Sequence, residues 1–272
     1  MTHSPSVPTI LKQALVLFAH SPKKEVASKR FFVSRADKAQ NENIHSALLE
    51  STIEQIYSAL TDTVFDVIIS SDAPENIASI LLSNNSLLLD FTTVFVQQQG
   101  ESFEERLHHT LKSVSNLGYE HIVVIGADTP ELSAHEITSA FVALSSGEKS
   151  VVLGESTDGG VYVIGAQSRI IPQLLEDIRW QSANVFADVQ RNVREHRFTA
   201  HFLPPFDDID TLADLAQWLA KAHDSSLAAL QRRITAILAT RRTKLSFTAQ
   251  SFPAVPRLKR LRIQMQKAPP IA

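Results

Sequence analysis

The sequence predicts an α/β fold, a three-layer α/β/α sandwich built on a mostly parallel mixed sheet. Three observations predict it. Short apolar runs rich in β-branched residues alternate with longer segments of helical periodicity. Runs such as "ALVLFAH" are fit for buried strands. Several runs end on a histidine or an aspartate, and ligands of such sheets bind at the carboxyl ends of the strands.

In chain order, Ala14–His20 is the first expected strand. The polar, basic stretch "SPKKEVASKRFFVSRADKA" after it reads as a loop. Ile44–Leu60 is expected to be a helix, because Ile44, Leu48, Leu49, Ile53, Ile56, Tyr57 and Leu60 share one face. Phe65–Asp72 is the next strand, Pro74–Leu82 a short helix, "TTVFVQQ" a strand and Phe103–Leu117 a helix. His121–Asp128 has the pattern of the central strand. Ser133, with Glu136 three places on, forms a capping box for the helix that carries Ile137, Phe141 and Leu144 inward. Val151–Gly154 and Val161–Ile164 are strands around "ESTDGG". Helical segments follow around Ile170–Asp177 and Asn184–Val193, then a short strand at "AHFLPP". A helix begins in "DIDTLADLAQWLAKA", with Asp210 or Thr211 at its N-cap. Ser225–Leu245 is the last expected helix, with Leu227, Leu230, Ile234, Ile237 and Leu238 on one face. The final stretch, interrupted by Pro253 and Pro256, is expected to be an edge strand or an ordered arm.

The 272 residues suit one large domain, or one domain with an appendage. Cysteine is absent, which excludes disulfides, thiolate metal sites and a cysteine nucleophile. No apolar run has the length of a membrane span, and "MTHSPSVPTILKQ" lacks the pattern of a signal peptide. A cytoplasmic location is the expectation. The net charge of -3 hides an asymmetry. Residues 1–220 carry 15 Lys and Arg against 28 Asp and Glu, whereas residues 221–272 carry 11 against 1. The chain is expected to divide into an acidic domain over 1–220 and a basic C-terminal helix and extended tail over 221–272. That tail is expected to pack on the acidic body or on a partner subunit, giving a homo-oligomer in the second case. No zinc-finger spacing or aromatic-basic RNA motif supports a nucleic-acid partner.

All 8 glycines lie between Gly100 and Gly165. In "VVLGESTDGGVYVIGA", Asp158 precedes the pair Gly159 and Gly160. Such a group is a turn former, and glycine also permits close backbone approach to a ligand. Asp128 in "GADTPEL" can hold Mg²⁺ or Mn²⁺ against a diphosphate, because hard cations take oxygen ligands. "PPFDDIDT" supplies Asp207, Asp208 and Asp210: Asp208 or Asp210 is a further metal candidate, Asp210 is equally a helix cap, and Asp207 reads as a solvent-facing acid. Lys23, Lys24, Lys29, Arg30 and Arg35 crowd the loop after the first strand, as a solvated face or as phosphate ligands. There is no Walker A motif, no GxGxxG and no GxSxG.

Four blocks in order resemble bacterial glycosyltransferase-like transferases of GT-A type fold, the radical-SAM/selenodomain-associated transferase 1 type. That family is distantly similar to molybdopterin-guanine-dinucleotide-type nucleotidyltransferases. The blocks are "QGESFEERL", "VVIGADTPEL", "LGESTDGGVYVIGA" and "LPPFDDIDTLADL", and the likeness spans about residues 14–220. The resemblance implies a nucleotide-diphospho-sugar type fold with a divalent metal. Asp128 matches its metal and phosphate aspartate, with Asp208 and Asp210 as the closing acids. Asp158, with Gly159, Gly160 and Tyr162, matches its acceptor signature, and Arg106 matches the arginine of the "ERL" block. One departure stands in the first loop. Where the family has a glycine and a Lys-Thr-Arg-Leu run, this chain has Ser28, Lys29, Arg30 and Phe31 and no glycine. Lys29 and Arg30 are then the nucleotide-binding candidates of that loop. A tyrosine pair common in the signature is reduced to Val161 and Tyr162.

The function expected is metal-dependent transfer from a nucleotide-activated donor to a small-molecule acceptor, with Asp158 as the catalytic candidate. Two alternatives stay open: a nucleotidyltransferase releasing pyrophosphate, and a non-catalytic metabolite- or protein-binding relative with a degenerate nucleotide loop.

Overall fold

The structure, a computed structural model, describes residues 12–29, 31–32, 37–61, 64–84, 93–221 and 225–249. Its elements run β1 (Gln13–Phe18), α1 (Pro22–Ser28), α2 (Lys38–Ala59), β2 (Asp66–Ser71), α3 (Pro74–Asn84), β3 (Thr93–Gln97), α4 (Phe103–Asn116) and β4 (His121–Ile125). They continue with α5 (Ala134–Leu144), β5 (Ser150–Ser156), β6 (Val161–Gln167), α6 (Ile171–Leu174), α7 (Val185–Glu195), β7 (Thr199–Phe206), α8 (Leu212–Ala220) and α9 (Ser225–Ala249).

The seven strands form one sheet in the order β3-β2-β1-β4-β6-β5-β7. β1 pairs in parallel with β2 and β4, β2 with β3, and β5 with β7. β6 runs antiparallel to both β4 and β5. Every other strand therefore delivers its carboxyl end to one edge of the sheet. That edge receives Asp72, Asp128, the 157–160 loop and Asp208.

Residues alternate between the two faces. Leu15, Leu17, Val67, Ile69, Val123 and Ile125 join the core under α2 and α5. Ala14, Val16, Ile68, Ile122, Val151 and Leu153 join the opposite core under α4 and α7. A third cluster unites Ile44 and Leu48 of α2 with Leu215 and Trp218 of α8 and Leu230 and Ile234 of α9. On the exposed side of that contact, Arg233 makes a two-pronged pair with Glu50, at 2.7 and 2.9 Å.

Two expectations change, and one open alternative is decided. The stretch after β1 is not all loop: Pro22–Ser28 forms α1. Proline at the first helical position has its φ preset and no amide to satisfy, and the Ser21 carbonyl accepts from Lys24 and Glu25 at 2.8 and 2.9 Å. The central strand stops at Ile125, so Asp128 stands in the turn that follows it. The N-cap of α8 is Thr211, whose side chain accepts from the Asp214 amide, which leaves the Asp210 side chain to other partners. The Ser133–Glu136 capping box is present as expected. The final Pro-containing stretch lies outside the described residues.

Candidate functional site

Lys29 stands where α1 ends, and its ammonium pairs with the carboxylates of both Asp128 and Asp210. Three segments of the chain thereby meet at one point. The Lys29 backbone is held from behind: its carbonyl lies 2.9 Å from Nε2 of His45, whose ring stacks on Phe31. Asp128 is fixed by its own main chain, because its carbonyl accepts from the Ile209 amide at 2.9 Å. That bond ties the turn after β4 to the segment after β7. Asp208 lies beneath, accepting from the hydroxyls of Thr129 and of Ser156, the latter at 2.6 Å.

The electrostatics show a site with more negative charge than its lysine can balance. Burial works against the charge of Lys29, but Asp128 and Asp210 outweigh it and raise its pKa. Burial also opposes ionisation of Asp128, and Lys29 reverses this to a lowered pKa. Asp208 is pushed up to about 7 by burial and by the charge of Asp128. Asp210 is raised by burial, in spite of Lys29. Burial likewise lifts Glu25 of α1 to about 7 against the pull of Lys29, with Asp128, Asp210 and Asp72 adding to the rise.

The Glu25 shift has a stability consequence. Its folded value lies above the ordinary 4.5. Between about pH 4.5 and 7 the folded chain therefore keeps a proton that the unfolded chain releases, and stability falls as pH rises through that window. Glu25→Gln is expected to raise the melting temperature by about 2–4 °C at pH 8, for a gain of about 1 kcal/mol, and to leave it unchanged at pH 4. Equal gains at both pH values would refute a charge-based cost.

Asp158 belongs to the loop between β5 and β6. It is exposed, and its Oδ1 accepts from the Gly160 amide at 2.9 Å in a local turn. Its other oxygen takes no hydrogen bond from the described residues. Gly159 has φ +89°, and a Cβ there would lie 2.2 Å from the Ala183 carbonyl oxygen. The close approach that this glycine makes is thus to the chain's own 180–185 segment, which the Phe186 amide joins by a 3.0 Å bond to the Gly159 carbonyl. Tyr162 is buried, with its hydroxyl donating to the Pro204 carbonyl at 2.6 Å and its ring lying against Gly154.

Arg106 of α4 reaches the Glu101 carbonyl with Nη1 at 2.9 Å, and its buried Nε has no hydrogen-bond partner among the described residues. Near it, Nδ1 of His20 lies 3.4 Å from Asp72, which also accepts from the amide and hydroxyl of Ser21. Lys23 and Lys24 are exposed. Arg30 and Arg35 lie outside the described residues.

Lys29, Arg106, Asp128, Asp158, Gly160, Tyr162, Asp208 and Asp210 all line one cavity of about 600 Å³. Among the contributors to its wall that sequence reasoning missed are Glu25, His45 and Trp180. The Ser21–Pro22 helix start was the available signal for Glu25. Nothing local marks Trp180. Among the described residues no group of three His, Asp or Glu side chains is already arranged around a metal position. The donor chemistry nevertheless fits a hard cation: Asp128 and Asp210 already face one common cation, the Lys29 ammonium.

Residues 59–182 match the model of a family described as an uncharacterized protein conserved in bacteria, DUF2064. No curated protein matches the chain. Among solved structures, a proposed nucleotide-diphospho-sugar transferase of Desulfovibrio desulfuricans is 21% identical, with a TM-score of 0.66 over 85% of this chain and 98% of that one. The 4-diphosphocytidyl-2C-methyl-D-erythritol synthase of Anaerococcus prevotii is 10% identical, with a TM-score of 0.50 over 76% of this chain and 96% of that one. Rv0371c of Mycobacterium tuberculosis, solved in complex with manganese, is 15% identical, with a TM-score of 0.43 over 77% of this chain and 98% of that one. The chain shares its mixed α/β fold with the first two of these structures. Among the described residues no helix is long and apolar enough to cross a membrane.

Proposed function

We propose that the chain transfers a group from a nucleotide-activated donor to a small-molecule acceptor, with Mg²⁺ or Mn²⁺ as the metal. The observation that carries this reading is the meeting of Lys29, Asp128 and Asp210 at the carboxyl edge of the sheet, inside one cavity. Ligands of open α/β sheets bind at that edge. The surplus of carboxylates there suits a divalent cation, which in turn offers its remaining positions to the oxygens of a diphosphate.

Asp128 and Asp210 would hold the metal, because a divalent cation of this kind needs only one or two protein carboxylates beside substrate phosphates. The metal, when bound, neutralises charge developing on the leaving diphosphate. Lys29 and Arg106 bind the diphosphate oxygens. Asp208, with both carboxylate oxygens engaged by hydroxyls, orders the floor of the site. Asp158 orients the acceptor hydroxyl and takes its proton. The acceptor oxygen forms its bond to the transferred group as that group's bond to the diphosphate oxygen breaks, and the diphosphate leaves with the electron pair. The protein's share of the work is alignment of the two reactants.

Calorimetry with a panel of nucleoside diphosphates is expected to show binding that tightens at least tenfold when Mg²⁺ or Mn²⁺ is added. Absence of binding to every nucleotide, with and without metal, would sink the reading in favour of a non-catalytic protein. Product analysis with nucleotide sugars and nucleoside triphosphates separates group transfer from pyrophosphate-releasing nucleotidyl transfer.

A further inference from the structure

The cavity that holds the acids continues into an apolar chamber. Leu111 of α4, Ile164 and Ala166 of β6, Leu175 after α6 and Val185 of α7 form its walls. Three aromatic rings stand together beside it: Phe103 lies 5.5 Å from Phe18 and 5.2 Å from Trp180, between ring centroids. The Trp180 indole N–H is buried and has no hydrogen-bond partner among the described residues. The segment carrying Trp180 is held in place at some backbone cost, with Asp177 and Gln181 at φ 51° and 57°.

Protein interiors are close-packed, with few voids larger than a water molecule. A chamber walled by aliphatic side chains and opening on a few convergent polar groups has the make-up of a small-molecule site. A nucleotide diphosphate is too polar for those walls, and the charged end of the cavity suits it. We propose that the chamber holds the hydrocarbon body of the acceptor, and that the acceptor is an amphipathic alcohol. Its tail lies among Leu111, Ile164 and Leu175. Its hydroxyl stands at the junction, where the Trp180 N–H donates to it and Asp158 receives its proton.

This inference rests on the transferase reading for the word acceptor, but its test needs no nucleotide. The full chain is titrated with straight-chain alcohols from butan-1-ol to decan-1-ol while tryptophan fluorescence is followed. The chain has 2 tryptophans, and the other, Trp218, is buried in the separate cluster under α9. Affinity is expected to rise about fourfold for each added methylene until the chamber is full. The signal is expected to vanish in Trp180→Phe. Ala166→Leu, which fills part of the chamber, is expected to weaken decan-1-ol binding at least tenfold. Affinity independent of chain length, or a fluorescence change that survives in Trp180→Phe, would overturn the proposal. The wild-type series decides even where Ala166→Leu fails to fold. Nucleotide binding without a chain-length effect would defeat the chamber proposal alone. A chain-length effect without nucleotide binding would defeat the transferase reading alone.

Discussion

Asp128→Asn is expected to reduce metal-dependent affinity for a nucleoside diphosphate by roughly 10–100-fold, the worth of about one or two charge-assisted contacts. The substitution keeps the shape of the side chain and removes its charge. It also removes one of the two carboxylates that hold the Lys29 ammonium. The turn itself should survive, because what ties it to the segment after β7 is the main-chain carbonyl of residue 128, which accepts from the Ile209 amide. Two measurements check this. Calorimetry with Mg²⁺ reads the affinity, and thermal unfolding without metal reads the fold. Unchanged affinity together with a large drop in melting temperature would make Asp128 a structural cap and remove it from the site.

Gly159→Ala is expected to destabilise the chain by about 2–4 kcal/mol, or about 5–15 °C in melting temperature. Two costs add. The backbone at residue 159 has φ +89°, a conformation that L side chains rarely adopt, and the new methyl would meet the Ala183 carbonyl at 2.2 Å. The obstacle is main chain, so no side-chain rotation relieves it. The 157–160 loop or the 180–185 segment must move, and each carries a cavity-lining residue, Asp158 and Trp180. Differential scanning calorimetry of the variant reads the loss. A melting temperature within 1–2 °C of wild type, a shift worth well under about 1 kcal/mol, would show that the two segments are not packed as described.

Much of the fold is legible in the sequence because its signals are local. The five inner strands are short apolar runs, and burial on both faces leaves little choice about what they become. The capping box at Ser133 needs only a serine and a glutamate three places apart, and it forms as read. The signals fail where they are short or doubled. α1 has 7 residues, mostly polar and charged, too few to show a period. Asp210 and Thr211 are both good N-caps by type, and only the geometry of the Asp214 amide separates them.

By itself the sequence determined the α/β class, the run of strands and helices, and which acids follow strands. Those properties depend on residues within a few positions of one another. Tertiary structure alone decided that β6 lies antiparallel between β4 and β5, and that the Lys29 ammonium stands between Asp128 and Asp210. It also decided that Gly159 serves an approach of the chain to its own Ala183 carbonyl. Each of these is a meeting of groups far apart along the chain. Such meetings are set by how helices pack over the two faces of the sheet and by the burial that results, and no spacing along the sequence encodes them.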